Sequence, residues 1–270
     1  MIGLNGGLLG SQRTTTTSAG PGVWTANEQV LLRRSNTWPR TDSDDPYISN
    51  VSLLLHMDGS NGSTTFTDNS SNALAVTANG NAQISTTQSK FGGASGSFDG
   101  NGDYLSIATN SLFDFGTGDW TVEFWMYYAG TNNAYPCILG VTTGWSAGVV
   151  SIAHDHSWAT DKLIVTANSH NSGAPVVSSS TLSLNTWYHC AVVRSGTSIK
   201  IYIDGINDGS ATISSGLAFN FSTGATRIGG NNGDGAASYF NGYLDDMRIT
   251  KGIARWSTNF TAPSAAYPNP

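Results

Sequence analysis

Acid–base chemistry on a sugar bond needs two carboxylates at a defined separation, and this sequence supplies few. Glu28 and Glu123 are its only glutamates, and Glu123 has no second carboxylate within its own run WTVEFWMYY. Elimination chemistry would need a clustered base beside a basic neutraliser, and no such cluster is visible. The stretch AHDHSW places His154, Asp155 and His156 together. Two histidines at i and i+2 share a strand face and suit a metal; a polar loop explains them equally well. Hard cations take several oxygens from loops. HMDGSNGSTTFTDNS offers Asp58, Asn61 and Asp68, and FDGNGDY offers Asp99, Asn101 and Asp103. The Asp-Gly and Asn-Gly pairs in both loops equally serve turn formation, and neither loop has EF-hand spacing. Aromatic rings in polar loops suit recognition of sugar faces. Trp145, Trp158 and Tyr239 lie in TTGWSAG, DHSWATD and GAASYFNG, where the alternative role is to cover the ends of a sandwich. Cys137 and Cys190 sit in apolar, strand-like runs and read as buried free thiols.

The elements that must position these residues are short. From Val51 onward, apolar runs such as VSLLLHM, DYLSIA, CILGV, GVVSIA and KLIVTA alternate with Gly, Asn, Asp and Ser. That punctuation predicts an all-β, antiparallel sandwich with helix nearly absent. In WTVEFWMYY the strand period puts Trp120, Val122, Phe124 and Met126 on the core face, with Thr121, Glu123, Trp125 and Tyr127 opposite. TWYHCAVVRSGTSIKIYIDGIND reads as a hairpin turning at Ser195-Gly196, with the next turn starting at Asp204-Gly205. No internal repeat argues for a solenoid or propeller.

Residues 1–47 differ. GGLLGSQRTTTTSAGPGVW is low-complexity, WTANEQVLLRRSNTW could form one short helix, and SNTWPRTDSDDPY reads as turns and extended chain. We expect an extended attachment arm over 1–47 and a sandwich over 48–270. Leu8, Leu9, Trp24, Arg33, Arg34 and Trp38 are its candidate docking residues, because so few apolar residues cannot recover the entropy of ordering the segment alone.

Charged residues make up only 11% of the 270, and the net charge of −6 includes no basic cluster. Nucleic acid and anionic membrane surfaces are therefore excluded as partners, and no run is long enough to span a bilayer. The start MIGLNGGLLG lacks the basic residues of a secretory signal. The Asn-x-Ser/Thr triplets at Asn50, Asn61, Asn69, Asn220 and Asn259 read as chance in an Asn- and Ser/Thr-rich chain.

Residues 51–268 resemble laminin-G-like, concanavalin A-like jelly-roll domains of the type found in bacteriophage structural proteins. The resemblance rests, in order, on LLLHMDGSNGSTTFTDNS, KFGGASGSFDGNGDYLSI, DWTVEFWMYY, NTWYHCAVVRSGTSIKIYIDG and NGYLDDMRITKGIARWSTNFTAPSAAYP. The glycine-rich opening resembles the leader of tail or head-decorating proteins. The resemblance implies a concanavalin A-like antiparallel jelly-roll preceded by an extended amino-terminal arm. It also implies a non-enzymatic virion protein, a tail fibre or head decoration on the particle's exterior. Through its arm such a protein would contact other virion proteins and itself, a trimer being the preferred assembly, and it would adhere weakly to a cell-surface glycan. A stand-alone carbohydrate-binding module and a glycoside hydrolase of the same fold are the alternatives. In the resembling family a structural ion joins the loop after the first strand to an Asp of the last. That points to calcium held by Asp58 and Asp246, with Asp68 and Asp245 in reserve; alternation places Asp245 and Asp246 on opposite faces. The resemblance further lays Trp256 and Phe260 against the sandwich.

Overall fold

The computed structural model describes residues 45–130, 133–141, 150–155, 160–167, 176–230 and 238–270, with Pro46–Pro270 forming one compact unit. In chain order the strands are β1 (Val51–Leu55), β2 (Thr65–Thr67), β3 (Ala75–Asn79), β4 (Gln83–Ser85), β5 (Ser95–Asp99) and β6 (Tyr104–Ile107). Then come β7 (Asp114–Gly116), β8 (Trp120–Tyr128), β9 (Cys137–Val141), β10 (Val150–Asp155), β11 (Lys162–Ala167) and β12 (Val176–Val177). The last are β13 (Trp187–Ser195), β14 (Ser198–Ile203), β15 (Ile206–Thr212), β16 (Phe219–Asn220), β17 (Thr226–Ile228) and β18 (Asn241–Lys251). Among the described residues, helix is confined to 3₁₀ turns at Ile48–Asn50 and Ser111–Phe113, and no helix is long and apolar enough to cross a membrane.

The first sheet runs β15-β14-β13-β8-β18-β5-β4, with β1 also paired to β18; the second runs β12-β11-β10-β9-β17-β6-β3-β2. Among the described residues neighbouring strands pair antiparallel, and β7 with β16 makes a small third ladder. One apolar core lies between the two large sheets. Trp120, Val122, Phe124 and Met126 of β8 enter it as the strand period predicts, and β13 and β14 form the predicted hairpin. Both cysteines are free and buried.

The opposite face of the first sheet, which an antiparallel sandwich often leaves to water, is largely roofed by residues after β18. Ala254, Trp256 and Phe260 pack on Ala191, Val193 and Tyr202, with the Trp256 and Phe260 rings stacked at 3.9 Å. Tyr267 packs with Val51 and Leu54. Beneath this roof Glu123 is fully buried. Its Oε1 accepts from Arg248 Nε at 3.0 Å and Nη2 at 2.8 Å, and its Oε2 accepts from Trp256 Nε1 at 3.2 Å. Burial alone would raise its pKa; the Arg248 and Arg255 guanidiniums outweigh that and hold it below the ordinary value. His189 lies 3.8 Å from the same carboxylate, yet burial pushes its pKa down to about 4 and leaves it neutral. The carboxylate on the outer face of β8 is thus an anchor for the carboxy-terminal segment.

Candidate functional site

The roof stops short of one row of side chains. On the outer face of the first sheet, Trp187 of β13 pairs in register with Tyr127 of β8, and Tyr127 with Tyr243 of β18. Ring centroids are 5.5 Å apart for Trp187 and Tyr127, and 5.7 Å for Tyr127 and Tyr243. All three are half-buried, presenting part of each ring to solvent. The row continues through Ser97 of β5, opposite Tyr243, to Gln83 of β4, opposite Ser97. Gly242 sets the contact between the central strands. At its φ of +150° a Cβ would stand 2.1 Å from the Tyr127 carbonyl oxygen, so a larger residue there would push β18 from β8.

Two residues further along each central strand lies the row His189, Trp125 and Asp245. It is covered by the loop between β4 and β5, in which Phe91 packs edge-on against Trp125 and Lys90 Nζ sits 3.7 Å from the Trp125 ring centroid. Asp245 Oδ2 accepts from the backbone N–H groups of Lys90 at 2.7 Å and Phe91 at 3.0 Å. The aromatic row is therefore a strip bounded on one side by this loop.

At its Gln83 end the strip opens into a polar depression of about 470 Å³ lined by Gln83, Ser97, Asn81, Thr64, Asp99 and Asp103. Asp103 is buried. It accepts from the N–H groups of Asn81 and of Asp99, while Asp99 accepts from Asn101 N at 2.7 Å and Asn81 Nδ2 at 3.1 Å. Burial and the neighbouring Asp99 charge raise the Asp103 pKa against its backbone donors. FDGNGDY thus braces its own turn through the Asp99 and Asn101 N–H groups and ties it to Asn81.

A third cluster occupies the corner where β1 meets β18. Asp245 pairs with Trp125, but Arg248 pairs with Glu123, so β18 carries one extra residue, and Asp246 takes a left-handed φ of 46°. This bulge corrects the alternation reading: Asp245 and Asp246 are both 1% exposed. Asp246 Oδ1 accepts from His56 Nδ1 at 2.6 Å, and its Oδ2 from Tyr267 N at 2.8 Å. The second His56 nitrogen faces Asn269 Oδ1 at 2.9 Å. Burial disfavours charge on His56, but bonds to Asp246 and Asn269 and the fields of Asp246 and Asp58 raise its pKa overall. Asp58 is exposed; its carboxyl lies against Gly92, where a Cβ would come 1.8 Å from Oδ1. Burial lifts Asp245 to about 7, reinforced by the Asp246 and Asp58 charges and opposed by its two backbone donors.

Calcium fits this corner poorly. Both Asp246 oxygens already hold proton donors, His56 Nδ1 and Tyr267 N. Asp68 is consumed by the N–H groups of Leu54, Ser70 and Leu74 and by the Ser70 hydroxyl. Among the described residues no group of three or more His, Cys, Asp or Glu side chains could hold a metal.

The corner does make stability pH-dependent. The folded His56 pKa is raised, so its contribution is present below about pH 6.5 and lost as pH climbs through the folded value. Asp245 holds a proton up to about 7 in the folded chain, so between the ordinary carboxylate range and that value folding again takes up protons. Neutral His189, with a folded value of about 4, works the other way and adds stability as pH rises to about 6.5, so the fall is read above that point: unfolding free energy is expected to drop by roughly 1 kcal/mol from pH 6.5 to 8. In denaturant titrations, the double substitution His56→Gln, Asp245→Asn should flatten that slope; an unchanged slope would refute the assignment.

Of the other residues singled out in the sequence, Trp145, Trp158, His156 and the arm residues Leu8, Leu9, Trp24, Arg33, Arg34 and Trp38 lie outside the described residues. Tyr239 is half-buried, stacked on Tyr104 at 6.5 Å, while Arg227 lies 3.9 Å from the Tyr104 ring. His154 is fully buried with its ring 4.3 Å from Tyr128. Trp187, Tyr243, Ser97 and Gln83 were not picked out by sequence; alternation on β8 exposes Tyr127, but only cross-strand register assembles the row.

A sequence profile described as the concanavalin A-like lectin/glucanases superfamily matches residues 99–254, more than half of the chain. No curated protein matches it at sequence level. Among solved structures, the chain is similar to domain 4 of AbnA, an extracellular GH43 arabinanase from Geobacillus stearothermophilus, in complex with arabinotriose. The TM-score is 0.55 at 15% identity, covering 76% of this chain and 94% of that one. It is also similar to the binding domain of Paraclostridial Mosquitocidal Protein 1, with TM-score 0.54, 14% identity, and coverage of 77% and 50%. A third is botulinum neurotoxin type C, whose cell entry depends upon interaction with two ganglioside molecules, with TM-score 0.53, 15% identity, and coverage of 77% and 49%. The chain thus spans about half of each toxin chain. At these identities the likeness establishes the fold.

Proposed function

The chain belongs to the concanavalin A-like lectin/glucanase superfamily, and from that premise we propose that it is a carbohydrate-binding module whose site is the aromatic strip. The observation that carries the reading is the row Trp187, Tyr127, Tyr243, left open to solvent where the roof and the Phe91 loop end. Partly exposed rings in one row, inclined to one another by 55° and 76°, offer apolar ring surface to sugar C–H groups, and the adjoining hydroxyl, amide and carboxylate groups offer partners to sugar hydroxyls. The arabinotriose complex of AbnA domain 4 and the ganglioside dependence of botulinum neurotoxin type C support the ligand class. We read the site as binding rather than cleaving, because Glu123 is sealed under the roof by Arg248 and Trp256. A panel of polysaccharides run in affinity gels should retard the protein without reducing ends being released. Released ends would favour the hydrolase reading, and no retardation by any polysaccharide would refute binding.

The place of action is the second part of the proposal. We take the module to be displayed on the exterior of a bacteriophage particle, attached and trimerised through residues 1–47. The low charge of the chain and the low-complexity, apolar-poor composition of the arm support this. Weak single-site adhesion becomes useful retention when several copies act together. Deleting residues 1–47 is expected to convert a trimer to a monomer in light scattering and to abolish incorporation into particles. Particles carrying the truncated protein at normal copy number would refute the attachment role.

A further inference from the structure

We infer that the strip selects uncharged, linear oligosaccharides of at least about four units, laid across the strands and not along them; this rests on the carbohydrate reading above. Direction and length come from the register. Trp187, Tyr127, Tyr243, Ser97 and Gln83 lie on five consecutive strands, β13, β8, β18, β5 and β4. At a strand spacing of 4.7–4.9 Å, these positions span roughly 19 Å, about four sugar rings end to end. Along the strands the platform is one side chain wide, because the next row is covered by Phe91 and Lys90. A chain lying parallel to the strands would meet that loop at once.

The two ends differ in chemistry. At the β13 end the contacts are rings, suited to the apolar face of a sugar. At the β4 end they are the Gln83 amide, the Ser97 hydroxyl and the Asp99 carboxylate, and that depression has no basic lining residue. The Asp99 and Asp103 carboxylates line this depression together, so a further negative charge is disfavoured there, while neutral hydroxyls find the Asp99 and Gln83 oxygens as acceptors. Carboxylated and sulfated glycans are therefore disfavoured at this end by charge, because no basic residue lines the depression.

The test is an array of linear oligosaccharides of two to six units, in neutral, carboxylated and sulfated sets, probed with the full-length chain. Neutral members should bind at least about tenfold more tightly at four units than at two, with little gain beyond five. Gln83→Ala, an exposed edge position, should remove the gain contributed by the last unit. Asp99→Asn should admit carboxylated members that the parent chain rejects. Equal binding of disaccharides and tetrasaccharides, or parent binding to acidic members as strong as to neutral ones, would overturn the selectivity and leave the strip as a site. Binding to no member would overturn the strip as well.

Discussion

Arg248→Ala is expected to destabilise the folded chain by up to roughly 3–5 kcal/mol, the usual cost of breaking a buried pair by removing one partner, offset in part by Arg255, whose Nε lies 3.6 Å from the same Glu123 oxygen. Glu123 has no exposed surface, and Arg248 donates two of the hydrogen bonds that hold its Oε1. The loss reaches further than the pair, because Trp256 Nε1 bonds the other oxygen and the Arg248 guanidinium lies 3.8 Å from the Tyr267 ring. Releasing Glu123 therefore loosens the roof over the first sheet. Against a total stability of about 5–15 kcal/mol, the melting temperature should drop by on the order of 10 °C. Replacing Glu123→Leu together with Arg248→Met removes the buried anion and one of its cations, while Arg255 keeps its bond from Nε to Thr250 Oγ1, and should recover part of the loss. Urea denaturation of the two variants decides it; a double variant no better than Arg248→Ala would show that the pair contributes through more than mutual neutralisation.

Trp187→Ala should weaken binding of a strip ligand by about 2 kcal/mol, roughly 30-fold in Kd, as expected when an aromatic contact is truncated. Tyr127→Ala should cost at least as much, since Tyr127 is the central ring and touches both Trp187 and Tyr243. Because these rings stand on the outer face and are half-exposed, their removal leaves the core cluster intact. Tyr127→Phe, which keeps the ring face and removes only the hydroxyl, should retain most of the affinity. Calorimetric titration with the tightest array ligand, beside melting curves of each variant, separates lost contact from lost fold. Unchanged affinity in Trp187→Ala would exclude that end of the strip.

Much of the scaffold could be read from the residues because its signals are local. The alternation in WTVEFWMYY assigns both faces of β8, Ser195-Gly196 marks the β13–β14 turn, and Trp256 and Phe260 do lie against the sandwich. The period-two rule failed at Asp245 and Asp246, because it assumes an unbroken strand and the left-handed Asp246 inserts an extra residue. The same corner shows a second limit: its carboxylates stand out in a charge-poor sequence, but His56, which hydrogen-bonds Asp246, lies 190 positions away. The strip was harder still. Trp187, Tyr127, Tyr243, Ser97 and Gln83 belong to five separate runs, and nothing in any one run reveals that their registers coincide. Trp145, Trp158 and Tyr239 stand out locally because they sit in polar loops; the aligned rings stand on strands, where only register brings them together.

The most direct measurement is the structure of the full-length chain bound to its tightest array ligand. The account predicts consecutive sugar rings over Trp187, Tyr127 and Tyr243, with the chain crossing the strands and its far end at Ser97 and Gln83. A glycan seated instead at Tyr239 and Tyr104, with the strip empty, would contradict it.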